Sequence, residues 1–347
     1  MIEYYNFHVK ADGTPEVNPQ KIIWTDIFKN MLSKKINMAD FNQNYISIGM
    51  YRPFCKQKIY YKKELIQRTY QQENIYLEKS NQQLENITIC LSGISSNKGF
   101  SCVVTKYLPV LQFISNGQCF PLFWYEKNNS ENLFNKNKVI RHDAITNYIQ
   151  NTLIDKYKKN IEKVEIFYYV YGLLHSKDYR TAFVSDLKKS LPRIPIVDTY
   201  EKFLAFSEAG KKLANLHLNY EQVKPYSKCK IFMYPEADYN VTKMKFGKSK
   251  NNSKDKTIIE YNDKITISNI PEKAYEYVVN GKSAIEWIME RYAITVDKKS
   301  GIVNDPNDWC KEVNDEKYIF NLLLRIINVS IQTVDIVNSL PRLDFED

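Results

Sequence analysis

Two stretches of this chain interleave side chains that neutralise phosphate with side chains that stack on bases or read their edges. Between Arg52 and Arg68, the cations Arg52, Lys56, Lys58, Lys62 and Lys63 alternate with Tyr60, Tyr61 and, just beyond, Tyr70. Further on, Lys243, Lys245, Lys248, Lys250, Lys254 and Lys256 surround two amides, Asn251 and Asn252. Ammonium and guanidinium groups displace counterions from a nucleic-acid backbone, Asn can bond adenine through two atoms, and Lys reaches guanine. Plainer readings stand beside these. A lysine run in a polar loop is also what simple solvation produces, and Arg52 ahead of Pro53-Phe54 suits a structural bond beneath a turn.

Other chemistries need spacings that the chain lacks. A phosphate-gripping loop requires Gly five positions before Gly-Lys-Ser, so that backbone amides surround the phosphates. Gly281-Lys282-Ser283 has Glu276 there, and Gly247-Lys248-Ser249 has Thr242. An adenine N6-methyltransferase needs Asn/Asp-Pro-Pro-aromatic to grip the flipped amino group, whereas Asn304-Asp305-Pro306-Asn307 has one proline and no aromatic. Asp186-Leu187-Lys188, Asp297-Lys298-Lys299 and Asp315-Glu316-Lys317 match only the short half of a metal-nuclease pattern, which a chain this charged meets by chance. His8, His142, His175 and His217 have no metal-ligand spacing, and no Gly-x-Ser-x-Gly turn occurs. His175 and His217 close helical stretches, where an imidazole is expected to favour the helix dipole. These absences lead us to expect no catalytic site, no metal and no cofactor.

Composition agrees with a binding protein without proving one. The 347 residues carry a formal net charge of +9, and the acidic excess is confined to residues 301–347, with 4 basic and 9 acidic residues. A basic body fits a polyanion partner, although lysine-rich proteins in general look similar. Tyr 26 and Phe 17 are high counts, so some rings must lie near the surface, where they either finish the core edge or serve a binding face. The six cysteines lie far apart with no C-x-x-C pair, which predicts buried thiols in a reducing cytoplasm. No apolar run approaches the ~20 residues of a membrane span and the N-terminus has no signal-like apolar region, so we expect a cytoplasmic protein without a membrane partner.

The elements that must position these residues can be read from periodicity. Residues 1–50 look like an appendage, with Ile22, Ile23, Ile27, Met31 and Leu32 recurring at helical spacing, too short for a core of its own. Residues 51–140 are β-rich: Lys58–Tyr61, Ile87–Leu91, Ser101–Val104 and Phe120–Tyr125 are short and rich in β-branched and aromatic residues. Residues 141–225 take the helical period, with stripes from Ile161 to Leu174, from Tyr179 to Leu191 and from Tyr200 to Tyr220. In residues 226–347, strands at Lys230–Tyr234, Tyr239–Phe246 and Thr257–Ile267, the last turning at Asn262-Asp263, precede helices near Glu272, Ser283 and Tyr318–Leu340. Gly247–Lys256 is expected to remain an unpacked polar stretch. The fold class is α+β: mixed sheet regions, a helical subdomain of about three helices in the middle, and a C-terminal helix.

Several longer blocks carry a family resemblance. They are Tyr51-Arg52-Pro53-Phe54, Gln118-Cys119-Phe120-Pro121-Leu122-Phe123, the runs Ile166–His175, Asp186–Pro195 and Phe206–His217, then Ile285-Glu286-Trp287-Ile288 and Ser300–Asn307. In this order, over about Trp24 to Asp308, they resemble the C-terminal specificity region of Type ISP restriction-modification enzymes. Those are single polypeptides with nuclease, helicase-like ATPase, adenine methyltransferase and target-recognition parts. The resemblance implies a non-catalytic module that reads an asymmetric site in double-stranded DNA. Methylation and cleavage would then be done by methyltransferase, helicase and nuclease domains in cis or in trans, and the resemblance makes residues 1–50 a connector or the tail of a preceding methyltransferase domain. From the residues alone, an RNA or single-strand binder using tyrosines as stacking platforms, a diverged restriction or methylation enzyme, and an interaction scaffold all remain open.

Overall fold

The structure, a computed structural model, describes residues 1–11, 16–66, 70–76, 86–94, 96–127 and 139–345. Arg68 and most of the asparagine-rich run after Lys127 lie outside these residues. Helices α1 (Ile2–Ala11) and α2 (Asp26–Ser33) open the chain, the latter started by the Thr25 hydroxyl accepting from Phe28 N–H. Tyr5, Ile22, Phe28 and Met38 form a small apolar cluster, and Asn6 bonds both backbone groups of Met38. The first residues therefore do hold a cluster of their own, against which Leu65 packs. Two helices with one buried aromatic ring apiece, Tyr5 and Phe28, can close on each other once a side-chain amide ties down the returning chain.

Strands β1 (Ile46–Arg52) and β2 (Cys55–Tyr60) form an antiparallel hairpin that runs across residue 50. Pro53 and Phe54 make its turn, with Phe54 at φ +60, a left-handed conformation unusual for a bulky side chain. The ring is 2% exposed and stands edge-on to Tyr220, 5.3 Å between centroids, so packing holds the strained backbone. After the short helix α3 (Gln72–Tyr76), β3 (Thr88–Leu91) is the centre of a three-stranded sheet. It lies between β4 (Cys102–Thr105) and β6 (Gln118–Pro121), while β5 (Leu108–Pro109) pairs with β1. The expected single strand at Phe120–Tyr125 breaks at the buried Leu122. There β6 gives way to β7 (Phe123–Lys127), which pairs instead with β8 (Val139–Asp143).

The middle of the chain is helical: α4 (Asn147–Tyr157), α5 (Lys163–Leu173), α6 (Lys177–Ala182) and α7 (Tyr200–Leu218). The second stripe yields only the six-residue α6, because the chain leaves helical geometry at Phe183 and Leu191 ends up exposed. Helices α5 and α7 touch backbone to backbone. A Cβ on Gly172 would lie 2.2 Å from the Phe206 carbonyl oxygen, and one on Gly210 would lie 1.9 Å from that of Tyr168. Only glycine at both positions allows the crossing. Beside it, His217 is held between the Tyr171 hydroxyl (2.7 Å) and the Thr333 hydroxyl (2.9 Å), and His175 Nδ1 meets the Tyr171 carbonyl at 2.8 Å. Burial drives the His217 pKa down to about 3 and that of His175 well below the usual value. Both imidazoles are therefore neutral core groups. The helix-dipole role expected for them is corrected, since it requires a charge that burial forbids.

The last part is a four-stranded antiparallel sheet in the order β10 (Lys245–Lys248), β11 (Lys254–Glu260), β12 (Ile265–Ser268), β9 (Lys230–Met233). The strand expected at Tyr239–Phe246 begins only at Lys245. Asn307 accepts from Val241 N–H and donates to its carbonyl, both at 2.9 Å, which takes those groups out of any ladder. Two small hairpins, β13 (Val278–Val279) with β14 (Lys282–Ser283) and β15 (Thr295–Val296) with β16 (Val303–Asn304), flank α8 (Ala284–Arg291). Ser283 of the Gly-Lys-Ser tripeptide caps α8 in a box with Glu286, a structural use of that residue. After α9 (Asn307–Glu312), α10 (Tyr318–Asn338) runs 21 residues. By length and composition alone it could cross a membrane, contrary to the sequence expectation, but 61% of its apolar window is buried inside the protein. Each fully buried Leu or Ile there contributes about 1.5–3 kcal/mol. The architecture is α+β with a helical middle and a C-terminal helix that packs against both large apolar clusters.

Candidate nucleic-acid interface

The two basic stretches fold into hairpins of different character. In β1–β2, most of the cations already have partners. Lys56, with a side chain only 9% exposed, reaches Glu221 at 2.5 Å and lies over the Tyr107 ring. Lys58 pairs with Glu312 at 2.9 Å and Lys63 with Glu73 at 2.6 Å. Lys62 stands 5.5 Å from the centre of the Tyr45 ring. Arg52 folds back over Tyr51, donating to its carbonyl at 2.7 Å, and burial lowers its pKa. Tyr60 stacks on Phe41 and Tyr61 is buried, while Tyr70 is 76% exposed.

The second stretch is an ordered hairpin rather than the loose loop expected at Gly247–Lys256. Lys248 pairs with Lys254 in register, Ser249 N–H donates to the Ser253 carbonyl at 2.8 Å, and the two serine hydroxyls meet at 2.6 Å. Asn252 takes the left-handed conformation at φ +57, which asparagine tolerates and a tight turn requires. At the bulge between Phe246 and Gly247, a Cβ on Gly247 would come within 2.7 Å of Ile258, so the glycine lets the two strands close. Asp255 is held at the neck by the Thr257 hydroxyl (2.6 Å), which lowers its pKa. A polar sequence can thus be rigid when its own hydroxyls and backbone satisfy each other.

From this hairpin Lys243, Lys245, Lys248, Lys250, Asn251 and Asn252 all point to solvent, and among the described residues none of these four lysines is in an ion pair. Lys256, at the base, differs. It pairs with Glu286 at 3.1 Å and lies near the Tyr275 ring. The sheet register carries one exposed row outward from the hairpin, through Lys245, Glu260, Thr266 and Phe232. On the edge strand, Phe232 (59% exposed) meets Tyr234 (51% exposed) edge-on at 5.1 Å, beside the exposed Lys230. These aromatic residues were not among the sequence candidates, although the alternation Lys230-x-Phe232-x-Tyr234 would have placed them on one face. No group of three or more metal-binding side chains occurs among the described residues.

A search of curated proteins gave no match. Solved structures gave several. The chain superposes with a TM-score of 0.87 and 37% identity on the ATP-dependent Type ISP restriction-modification enzyme LlaBIII, solved bound to DNA. That alignment covers 99% of this chain and 21% of that one. A nuclease-deletion mutant of the Type ISP enzyme LlaGI, in complex with a DNA substrate mimic, aligns at TM-score 0.82 and 33% identity, covering 100% and 31% of the two chains. A DrdV–DNA complex aligns at 0.82 and 26%, covering 99% and 33%. This chain therefore spans about a fifth to a third of the length of these structures. The family defined as the Type ISP C-terminal specificity domain matches residues 1–322, a range that contains every block quoted from the sequence. The chain belongs to the Type ISP C-terminal specificity domain family.

Proposed function

We propose that this chain reads a site in double-stranded DNA for a Type ISP restriction-modification system. Methylation and cleavage would be carried by methyltransferase, helicase-like ATPase and nuclease parts supplied in cis or in trans. One observation carries the assignment to a specific surface. The β10–β11 hairpin, with Lys243 just ahead of it, presents Lys243, Lys245, Lys248 and Lys250 to solvent, out of any ion pair among the described residues, and turns at the adjacent amides Asn251-Asn252. A two-stranded ribbon fits the major groove, about 12 Å wide, where Asn and Lys distinguish adenine and guanine edges. The ribbon's lysines neutralise phosphates on either side, and its order removes the entropy that a loose loop would lose on binding. That LlaBIII and DrdV were solved with DNA, and LlaGI with a DNA substrate mimic, supports the same polymer here. In the first segment, Arg52, Lys56, Lys58 and Lys63 are assigned to holding the fold, and Lys62 to its rim.

The test is a competition assay with a labelled duplex that contains the cognate site. Unlabelled double-stranded DNA should displace the label at lower concentration than single-stranded DNA or RNA of the same sequence, and raising salt should weaken binding steeply. Preference for single strands would reject the proposal.

A further inference from the structure

Strands β3 and β6 lie antiparallel with Cys90 directly opposite Cys119, and the two sulfurs are 3.5 Å apart. All six cysteines are free thiols. The pair forms part of the wall of a cleft of about 530 Å³ that Gln72, Asn116 and Gln118 also line. Cys90 is buried at 1% exposure, whereas Cys119 is only partly covered. Opposed residues on antiparallel strands have Cα atoms about 4.5–5.5 Å apart, inside the span a disulfide accepts. Small rotations of two side chains therefore bring the sulfurs to bonding distance without moving the sheet.

From this arrangement we infer that Cys90 and Cys119 are a peroxide-sensitive thiol pair that closes reversibly to a disulfide across β3 and β6. The inference is independent of the DNA-reading proposal. The division of labour follows from position. Cys119 faces the cleft, and the hydrogen bond from Cys90 lowers its pKa, while burial raises that of Cys90. The Cys119 thiolate attacks one oxygen of hydrogen peroxide, the O–O bond breaks and hydroxide leaves, giving a sulfenic acid. Cys90 then gives up its proton and attacks that sulfur. The S–S bond forms as the S–O bond breaks, and water departs. Overall the two thiols lose two hydrogens, and one peroxide becomes two waters. Cys229 supplies an internal comparison. It is also partly covered, but its sulfur meets the Asn269 carbonyl at 4.0 Å, and burial raises its pKa to about 11. Cys55, Cys102 and Cys310 are buried.

The experiment treats the full chain with stoichiometric hydrogen peroxide, blocks remaining thiols, digests without reductant and maps the peptides by mass spectrometry. The expected result is an intact mass lower by two hydrogens and a cross-linked peptide joining Cys90 to Cys119, both reversed by dithiothreitol. Cys229→Ser should leave the cross-link unchanged, and Cys119→Ser should abolish it. The inference is overturned if wild-type Cys119 accumulates sulfinic acid or stays a thiol without the cross-link. It is equally overturned if Cys229 is consumed before the pair. Because the deciding readout is on the wild-type chain, a poorly folded variant leaves the test intact.

Discussion

The β1–β2 hairpin and the β10–β11 hairpin have similar lysine content and opposite electrostatic fates. In the first, Lys56 and Lys58, like Lys63 just beyond it, are each held by a glutamate, and Arg52 lies on its own neighbour's ring. In the second, Lys243, Lys245, Lys248 and Lys250 stand in solvent, out of any ion pair among the described residues. Glu221 lies 165 residues from Lys56 along the chain, so nothing near Lys56 in the sequence announces the pairing. A run of cations says little about binding until its counterions have been located. A cation already paired must give up that partner before it can meet a phosphate, and only an unpaired one contributes its full counterion release.

The contrast can be broken from the frame side by acid, and this should be the largest effect. His175 and His217 are buried and neutral, with folded pKa values depressed below the ordinary 6.5. The unfolded chain therefore takes up their protons first. Stability is complete above about pH 6.5 and falls on acidification by about 1.4 kcal/mol per pH unit for His217, until its folded value of about 3 is reached. Circular dichroism against pH should show the midpoint of urea unfolding dropping below pH 6, and duplex binding should be lost with the fold, although the hairpin itself contains no histidine. A flat stability profile from pH 7 to 4 would contradict the burial of these rings.

From the hairpin side, changing Lys243, Lys245, Lys248 and Lys250 together to Ala should weaken duplex affinity on the order of a hundredfold and flatten the salt slope by up to about four counterions. The same variant should unfold at an unchanged denaturant concentration, since these side chains hold nothing. An unaltered slope removes the hairpin from the interface. Lys56→Met should behave in reverse. It leaves Glu221, which also accepts from the Tyr318 hydroxyl at 2.5 Å, without its cation, and should cost roughly 1–3 kcal/mol while preserving the salt slope of the remaining folded protein. If Lys56→Met instead loses binding at full stability, the assignment of that segment to the frame is wrong. The smallest effect belongs to Lys58→Ala. Its ion pair with Glu312 is about half exposed on both sides, and such pairs contribute about 0–1 kcal/mol.

What could be read from the sequence was whatever a short window contains. The apolar stripe from Ile161 to Leu174 gave α5, the Asn262-Asp263 turn gave the β11–β12 hairpin, and the helix expected near Ser283 is α8. The specificity-domain resemblance rested on ordered blocks, and the family match covers them. Hidden from a window were features decided at a distance. Asn307 removes Val241 from a strand 66 residues away, Leu122 divides one apparent strand between two sheets, and His217 is neutral because the packed elements around it bury it. The ordered lysine hairpin escaped for a different reason. Its stability comes from Ser249, Ser253 and a left-handed Asn252, while hydrophobic periodicity registers only apolar spacing. The candidate surface was thus legible as a list of residues, but not as a choice between two lists.

One practical consequence follows from α10. The family match stops at residue 322, near the start of this helix, yet Ile326, Ile327, Val329 and Val334 lie deeper in the protein and Thr333 closes the cage around His217. Anyone transplanting the module into another enzyme must therefore keep the chain through Phe345, which with Leu340 and Leu343 still packs on the helical cluster, and not cut where the family match ends. A graft trimmed at the earlier point would arrive with its lysine ribbon intact and its keel missing.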